Sequence, residues 1–303
     1  MSHLIVDGNN VQYAAYYAYN GLTSRDGKPS SIIFGMPSIV ASLVNMLKPT
    51  KTTIVWDGKK STYRLSVLPD YKKRDKKMDE DQLKNFYHEK SQVQEIFTHL
   101  GIRQVHSMEM EADDYIYYLT KKYSKKTNVT IVSNDKDFHQ LLSPTVKIWS
   151  TSKKTFISTI NCKKLFGYAP NQCVDFLSLI GDDSDNIPGL PGVGPKTAQA
   201  FLERFGSVHE FLLDPSNKFP RIDRNLLKEV YERNRRIIDL AWYYRNILNS
   251  DLKVKLLVRK PEYNPKELKK ICRLYDINKF TTPEFYNQFS SLRKNGKTDS
   301  DSI

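Results

Sequence analysis

The chain has 303 residues, 39% hydrophobic and 12% aromatic, and carries 47 Lys and Arg against 34 Asp and Glu, a formal charge of +13. That length buries about three-quarters of the unfolded chain's surface, enough for one large or two modest domains without covalent staples, and the aromatic content excludes a disordered chain. Three cysteines without a CxxC spacing exclude a disulfide scaffold and suit a reducing cytoplasm, no apolar run or leader pattern suggests a membrane span or secretion, and the positive charge points to a polyanion, nucleic acid first.

In chain order, three short apolar runs each lead into an acid. Residues 4–6 run into Asp7, residues 54–56 into Asp57, and residues 129–132 into Ser133-Asn134-Asp135. Short β-branched runs bounded by Gly, Asn or Lys predict buried parallel strands. Between them, apolar residues at helical spacing predict helices over 35–47, 79–100 and 111–123. Strands alternating with helices predict an α/β fold with a mostly parallel sheet. Ligands of such sheets sit at the carboxyl ends of the strands, so Asp7, Asp57 and Asp135 are expected in one crevice. A strand pair follows at 146–149 and 156–160, turned at Lys153-Lys154. Helices are then predicted over 196–204, 225–248 and 265–275, with a small polar tail after about residue 290.

The acids cluster further. Glu111-Ala112-Asp113-Asp114 places three carboxylates at a helix start, where the macrodipole tolerates negative charge. Asp135 and Asp137 flank Lys136, and Asp182 and Asp185 sit in a Gly181-Asp182-Asp183-Ser184-Asp185 turn. Each motif alone reads equally well as a solvated turn or helix cap. Together they are nine acids at crevice positions of a basic chain, a crowding that hard divalent cations relieve.

The blocks Ile5-Val6-Asp7-Gly8, Trp56-Asp57-Gly58-Lys59 with Arg64, Tyr71-Lys72, Glu111-Ala112-Asp113-Asp114 and Asn134-Asp135-Lys136-Asp137 stand in this order. Gly181-Asp182-Asp183-Ser184-Asp185-Asn186-Ile187-Pro188-Gly189 and Gly192-Val193-Gly194-Pro195-Lys196-Thr197-Ala198 follow. Over about residues 3 to 206 the chain thus resembles the 5′-nuclease, or flap endonuclease, superfamily. It is most like the free-standing bacteriophage enzymes and the 5′-nuclease domain of bacterial DNA polymerase I.

The resemblance implies a PIN-like α/β nuclease domain over 1–180 with a helical arch at about 70–100. A helix-three-turn-helix (helix-hairpin-helix) subdomain over 181–290 and a disordered tail over 291–303 would follow. It implies two Mg²⁺ ions, replaceable by Mn²⁺, about 4 Å apart. One would lie near Asp7, Asp57, Glu111 and Asp113, the other near Asp137, Asp182 and Asp185. Asp114 and Asp135 would lie between them or behind them. It also implies K⁺ at the hairpin.

Lys72 would meet the scissile phosphate. Arg74, one residue earlier than the family's YKxxR spacing, is its expected partner, with Lys76 a second candidate. Lys59, Arg64, Lys73, Lys76, Gly192, Gly194, Lys196 and Thr197 would face DNA. The glycines would admit a phosphate to the helix start that follows them, and Tyr71, Phe86, Tyr87 and His88 would stack on unpaired bases, Phe86 suiting the core better. Where the family carries an Arg seven residues after the first Asp, this chain has Ala14.

The expected activity is a monomeric structure-specific 5′ nuclease acting on 5′ flaps, nicks and 5′ ends. RNA–DNA hybrids and replication proteins extend its range of partners. The rivals are a PIN-like ribonuclease, which would lack the glycine hairpin and basic arch, and an inactive DNA-structure scaffold, which would have lost acids.

Overall fold

The computed structural model describes residues 2–73, 78–107, 110–248 and 256–295. β1 (Ser2–Asp7) opens the chain and α1 (Gly8–Ala18) follows it without a loop, because Asp7 caps the helix. Then come α2 (Ser31–Leu47), β2 (Lys51–Trp56), α3 (Thr62–Val67), α4 (Glu80–His99), β3 (Arg103–Ser107), α5 (Ala112–Tyr123) and β4 (Asn128–Val132). A 3₁₀ segment (Lys136–Leu141) leads to β5 (Val146–Ser150), β6 (Thr155–Ile157), α6 (Cys162–Phe166) and α7 (Cys173–Ile180).

The sheet order is β6-β5-β4-β1-β2-β3, closed at the far edge by β9 (Leu256–Arg259). The five strands from β5 to β3 are parallel, and β6 and β9 are antiparallel edges. Val6 pairs with Ile54 on one side and Val132 on the other. This register brings the residues after β1, β2 and β4 to one end of the sheet.

Alternation along the strands builds two apolar layers. Ile5, Val55, Val105 and Ile131 face α5, while Leu4, Val6, Ile54, Trp56 and Val132 face α2 and α4. Both faces are covered, which is why these strands read as unbroken apolar runs.

The α/β expectation and the central strands hold. β3 is an addition: its Gln104 is buried, accepting from Trp56 Nε1 at 3.0 Å and donating to Gln94 O at 2.7 Å. The helix expected at 35–47 starts earlier, at Ser31, and carries Pro37 inside. The span 70–100, expected as an arch, includes α4 and, at 74–77, residues outside those described. From Phe86 onward α4 is a core helix, with Phe86, Val93, Ile96 and Phe97 buried on the sheet.

The remaining elements are the ribbon β7 (Gly181–Asp182) and β8 (Ile187–Pro188), α8 (Pro195–Phe205), α9 (Val208–Leu213) and α10 (Arg224–Ile238). After them come α11 (Leu240–Tyr243), α12 (Pro265–Leu274), α13 (Pro283–Gln288) and α14 (Ser290–Asn295). The helix expected over 225–248 therefore breaks at Asp239, whose carboxylate accepts the Trp242 N–H at 2.8 Å and caps α11.

The C-terminal boundaries also move. Leu268, Cys272, Phe280, Phe285, Phe289 and Leu292 pack into the α2/α4 layer, so residues 265–292 belong with the sheet and not with the hairpin helices. Residues 291–295, expected in the tail, continue a helix; 296–303 lie outside the described residues. Among the described residues no helix is long and apolar enough to cross a membrane. Cys162, Cys173 and Cys272 are free and buried.

Candidate active site

The carboxyl end of the sheet gathers the acids. Asp7 accepts the Asn10 N–H at 3.0 Å and the Ser133 hydroxyl at 2.8 Å. Burial, reinforced by Asp57 and Asp135, raises its carboxyl to about 7. Asp57, exposed just beyond β2, accepts the Ala112 N–H at 2.8 Å and Asn9 Nδ2 at 3.1 Å, so it ties α1 to the start of α5.

Glu111 stands just before α5. Its carboxylate accepts the Ser61 N–H at 3.0 Å, the Tyr71 hydroxyl at 2.9 Å and Lys72 Nζ at 2.5 Å. Burial would raise its pKa, but the Lys72 and Arg64 charges override that and hold it at about 2. Asp135 caps the 3₁₀ segment by accepting the Asp137 N–H at 2.8 Å. Burial, then repulsion from Asp185, raises it to about 6. Asp113 and Asp137 are pushed up too, first by burial and then by neighbouring acids against the pull of Lys72.

Electrostatically the acids form two groups sharing one member. Asp57 and Asp135 push up Asp7 and Asp113, while Asp182 and Asp185 push up Asp135 and Asp137. Asp182 accepts the Ser184 N–H at 2.7 Å in the ribbon turn, and Asp185 O accepts the Lys72 N–H at 2.8 Å.

Lys72 joins the groups. Its ammonium lies 2.5 Å from Glu111, 3.4 Å from Asp113 and 3.6 Å from Asp185. Burial alone would favour the neutral amine, but Asp113, Glu111 and Asp185 keep it charged. Its backbone takes the left-handed region at φ 52°, steadied by Lys60 Nζ donating to Lys72 O at 2.7 Å.

Among the described residues, no three Asp, Glu, His or Cys side chains are drawn together tightly enough to enclose one ion. The donor set still suits a hard divalent cation, being all carboxylate oxygen, with Asp7, Asp113, Asp135 and Asp137 pushed upward by burial first and by neighbouring acids second.

Three of the residues expected at the site have other work. Arg64, expected on the DNA face, is 2% exposed and grips Asp114 through both nitrogens of its fork, at 2.8 and 2.6 Å. Its Nε donates to Ile237 O at 3.1 Å, Nη1 lies 3.3 Å from Glu111, and the guanidinium sits 4.0 Å over the Tyr243 ring. Buried and so engaged, the guanidinium presents no exposed edge to a phosphate. Asp114 commits both oxygens to Arg64, so it braces Glu111 from behind. Burial pulls the Asp114 carboxyl up, and the charge and hydrogen bonds of Arg64, which does not give up its proton, pull it back. Tyr71 is likewise buried against Glu111 and offers no face to a base.

Lys59 and Lys73 are exposed, the latter paired with Asp70 at 2.9 Å. Arg74 and Lys76 lie outside the described residues. At the hairpin, Gly192 needs its left-handed φ of 75°. Gly194 does not share that need: φ is −97°, and a Cβ there meets no atom of the chain within 4 Å. Lys196 is exposed and Thr197 half-buried in the first turn of α8. Sequence reasoning missed Ser61, Ser133 and Asn9. Ser61 stands just before α3 and Asn9 beside Asp7, so cap spacing and adjacency were the available signals.

The raised acids predict a pH dependence in chelator. Asp7 and Asp135 bind protons more tightly in the fold than their ordinary value of 3.8 allows unfolded, so the native state holds more protons between that value and about 6 to 7. Stability should therefore fall as pH rises through about 6 to 7, and Mg²⁺ should oppose the fall. Glu111 acts in the opposite sense only as pH drops below 4.5 towards 2. His106 and His139, lowered to about 4 chiefly by burial, oppose the fall between about 4 and 6.5, so the acids' share is read as the difference between wild type and Asp7→Asn. Melting temperatures of wild type and Asp7→Asn across pH 5 to 8, with EDTA or a divalent cation, check this; a wild-type midpoint in EDTA that rises with pH relative to Asp7→Asn would contradict it.

The model of the 5′-3′ exonuclease N-terminal resolvase-like domain matches residues 2–167, and that of the 5′-3′ exonuclease C-terminal SAM fold matches residues 168–263. The chain is 30% identical over 299 residues to a 5′-3′ exonuclease of Buchnera aphidicola subsp. Baizongia pistaciae, covering 98% of this chain and 95% of that protein. It is 33% identical over 255 residues to a 5′-3′ exonuclease of Aquifex aeolicus, covering 83% and 86%. The fold is similar to the bacteriophage T5 D15 flap endonuclease, solved with DNA and metal ions, at TM-score 0.70 and 20% identity over 93% of this chain and 99% of that one. With both domain models matched in sequence and that fold beneath the acid site, the chain belongs to the 5′-3′ exonuclease family.

Proposed function

We propose that the chain is a divalent-metal-dependent, structure-specific 5′ nuclease. It cuts 5′ flaps endonucleolytically and removes nucleotides from 5′ ends. The observation that carries this reading is the convergence of two carboxylate groups, bridged by Lys72, in a chain of charge +13. Asp7, Asp57, Glu111 and Asp113 would hold one Mg²⁺, and Asp137, Asp182 and Asp185 the other, with Asp135 between. Bound ions supply an activated water and stabilise the leaving oxygen.

The chain's own residues do the rest. Lys72 presents positive charge at the acid site, where negative charge develops on the phosphate. Arg64 and Asp114 keep Glu111 oriented. Exposed Lys59, Lys73 and Lys196 attract the DNA backbone. The open turn at Gly192 and Gly194 admits a duplex phosphate and, in this reading, a K⁺. RNA–DNA hybrids and replication partners fall within the same proposal.

Lys72→Ala should lower the single-turnover rate at saturating DNA more than it weakens binding, as expected of a contact felt most in the transition state. Single-turnover rates across DNA concentration measure both; a change in affinity alone would remove Lys72 from the chemistry.

Gly194→Ala gives the complementary result. Because the added methyl meets nothing in the chain, stability should stay within about 0.5 kcal/mol. Duplex affinity should nevertheless fall, with the saturated rate little changed. Wild-type affinity should itself fall steeply between about 50 and 200 mM salt, as counterions are released. An affinity indifferent to both would remove the hairpin from the DNA interface. The reading as a whole is tested against a PIN-like ribonuclease by offering flap DNA and single-stranded RNA at equal concentration. Preferred cleavage of the RNA would overturn it.

A further inference from the structure

The break after α10 falls against the acid site. A helix end leaves its last carbonyls without intrahelical partners. Here Arg64 Nε donates to Ile237 O at 3.1 Å and Gln140 Nε2 to Ile238 O at 3.0 Å. The same Gln140 amide donates to Asp137 O at 2.7 Å, and its oxygen accepts the Leu240 N–H at 2.9 Å. Gln140 thus stitches the break to the 3₁₀ segment of Asp135 and Asp137. Arg64 ties it to Asp114 and Glu111.

One turn earlier on α10, Asn234 is 0% exposed. Its Nδ2 donates to Ser178 O and to Pro188 O, both at 2.9 Å, and Arg233 Nη2 adds a bond to Pro188 O at 2.7 Å. Those carbonyls flank the β7–β8 ribbon that displays Asp182 and Asp185. The ribbon closes tightly: a Cβ on Gly181 would meet Ile187 O at 2.3 Å, and one on Gly189 would meet the Ile180 carbonyl carbon at 2.3 Å. Three acid segments remote in sequence are therefore fastened to residues 233–240.

We propose that the C-terminal turn of α10 is a common bracket for the acid site, and that Gln140 and Asn234 are positioning residues of the nuclease reaction. They fix the spacing between the carboxylate groups without touching substrate. The proposal rests on the metal-dependent reading above. Carboxylates that share ions must be held to within about 0.5 Å, and partners behind such ligands typically govern affinity by about 10- to 100-fold. α10 also packs on α7, which contacts the hairpin helix α8, so the bracket links the duplex platform to the acids.

The test uses the full chain with Gln140→Met, Asn234→Leu and the pair. In EDTA, amide hydrogen exchange should speed up over residues 136–141 in Gln140→Met and over 181–190 in Asn234→Leu. Mn²⁺ affinity, read by electron paramagnetic resonance, should fall about 10-fold or more in each. The pair should depart from additivity because both act through one helix turn. Flap-DNA affinity in EDTA should stay at the wild-type value. Wild-type exchange in both segments, with wild-type Mn²⁺ binding, would overturn the bracket. Should Asn234→Leu fail to fold, Gln140→Met decides alone, since Gln140 is only half-buried. A wild-type chain that takes up no Mn²⁺ would sink the metal reading, and the exchange data would still decide the bracket.

Discussion

Asp113→Asn, or Asp135→Asn, is expected to lower single-turnover cleavage of flap DNA by about 100-fold or more, the upper end of what even outer partners of a metal cost. Binding of the same DNA in EDTA should survive. Asp113 sits among Lys72, Asp135, Asp7 and Asp57, and Asp135 belongs to both acid groups, so each substitution removes charge where the groups meet. The proposed DNA contacts lie elsewhere, on exposed lysines and the glycine hairpin. Asn keeps the side chain's shape and some of its hydrogen bonds, which limits damage to the fold. Cleavage at the wild-type rate in either variant would remove that carboxylate from the chemistry.

Arg64→Met should be the most damaging single change to stability, by about 3 to 5 kcal/mol, the cost of breaking a buried ion pair from one side. The substitution leaves the Asp114 carboxyl buried beside Glu111 with no fork to hold it, and leaves Ile237 O without its donor. Arg64→Met combined with Asp114→Leu should recover a large part of that loss, because a well-packed apolar pair can replace a buried ion pair at little cost. Urea unfolding of the single and double variants measures both. A single variant as stable as wild type would contradict the buried clamp.

The acid site was legible because each catalytic strand states it twice, as an apolar run and as the acid that ends it. Parallel register then did what the pattern implied, bringing Asp7, Asp57 and Asp135 to one edge. β3 was not legible: Arg103, Gln104 and His106 disguise a strand whose buried Gln104 is satisfied only by Trp56 and α4. The break at Asp239 was hidden because Ile237, Ile238 and Leu240 continue the apolar spacing. The tertiary partners Arg64 and Gln140 donate to the carbonyls of the broken end. Arg64 was misplaced for a related reason, since a positive charge in a basic chain reads as a DNA contact until its buried partner is seen. Gly194 stands beside open space but has an ordinary backbone, and the left-handed turn belongs to Gly192.

The central claim is metal-dependent cleavage directed by DNA structure. It is tested most directly by offering 5′-labelled flap, nicked and single-stranded DNA to the wild-type chain with Mg²⁺ or with EDTA, and resolving products by length. Cleavage near the flap junction, shortening from the nick's 5′ end, little action on the single strand and none in EDTA is the predicted result. Equal cleavage of all three substrates, or cleavage that persists in EDTA, would contradict it.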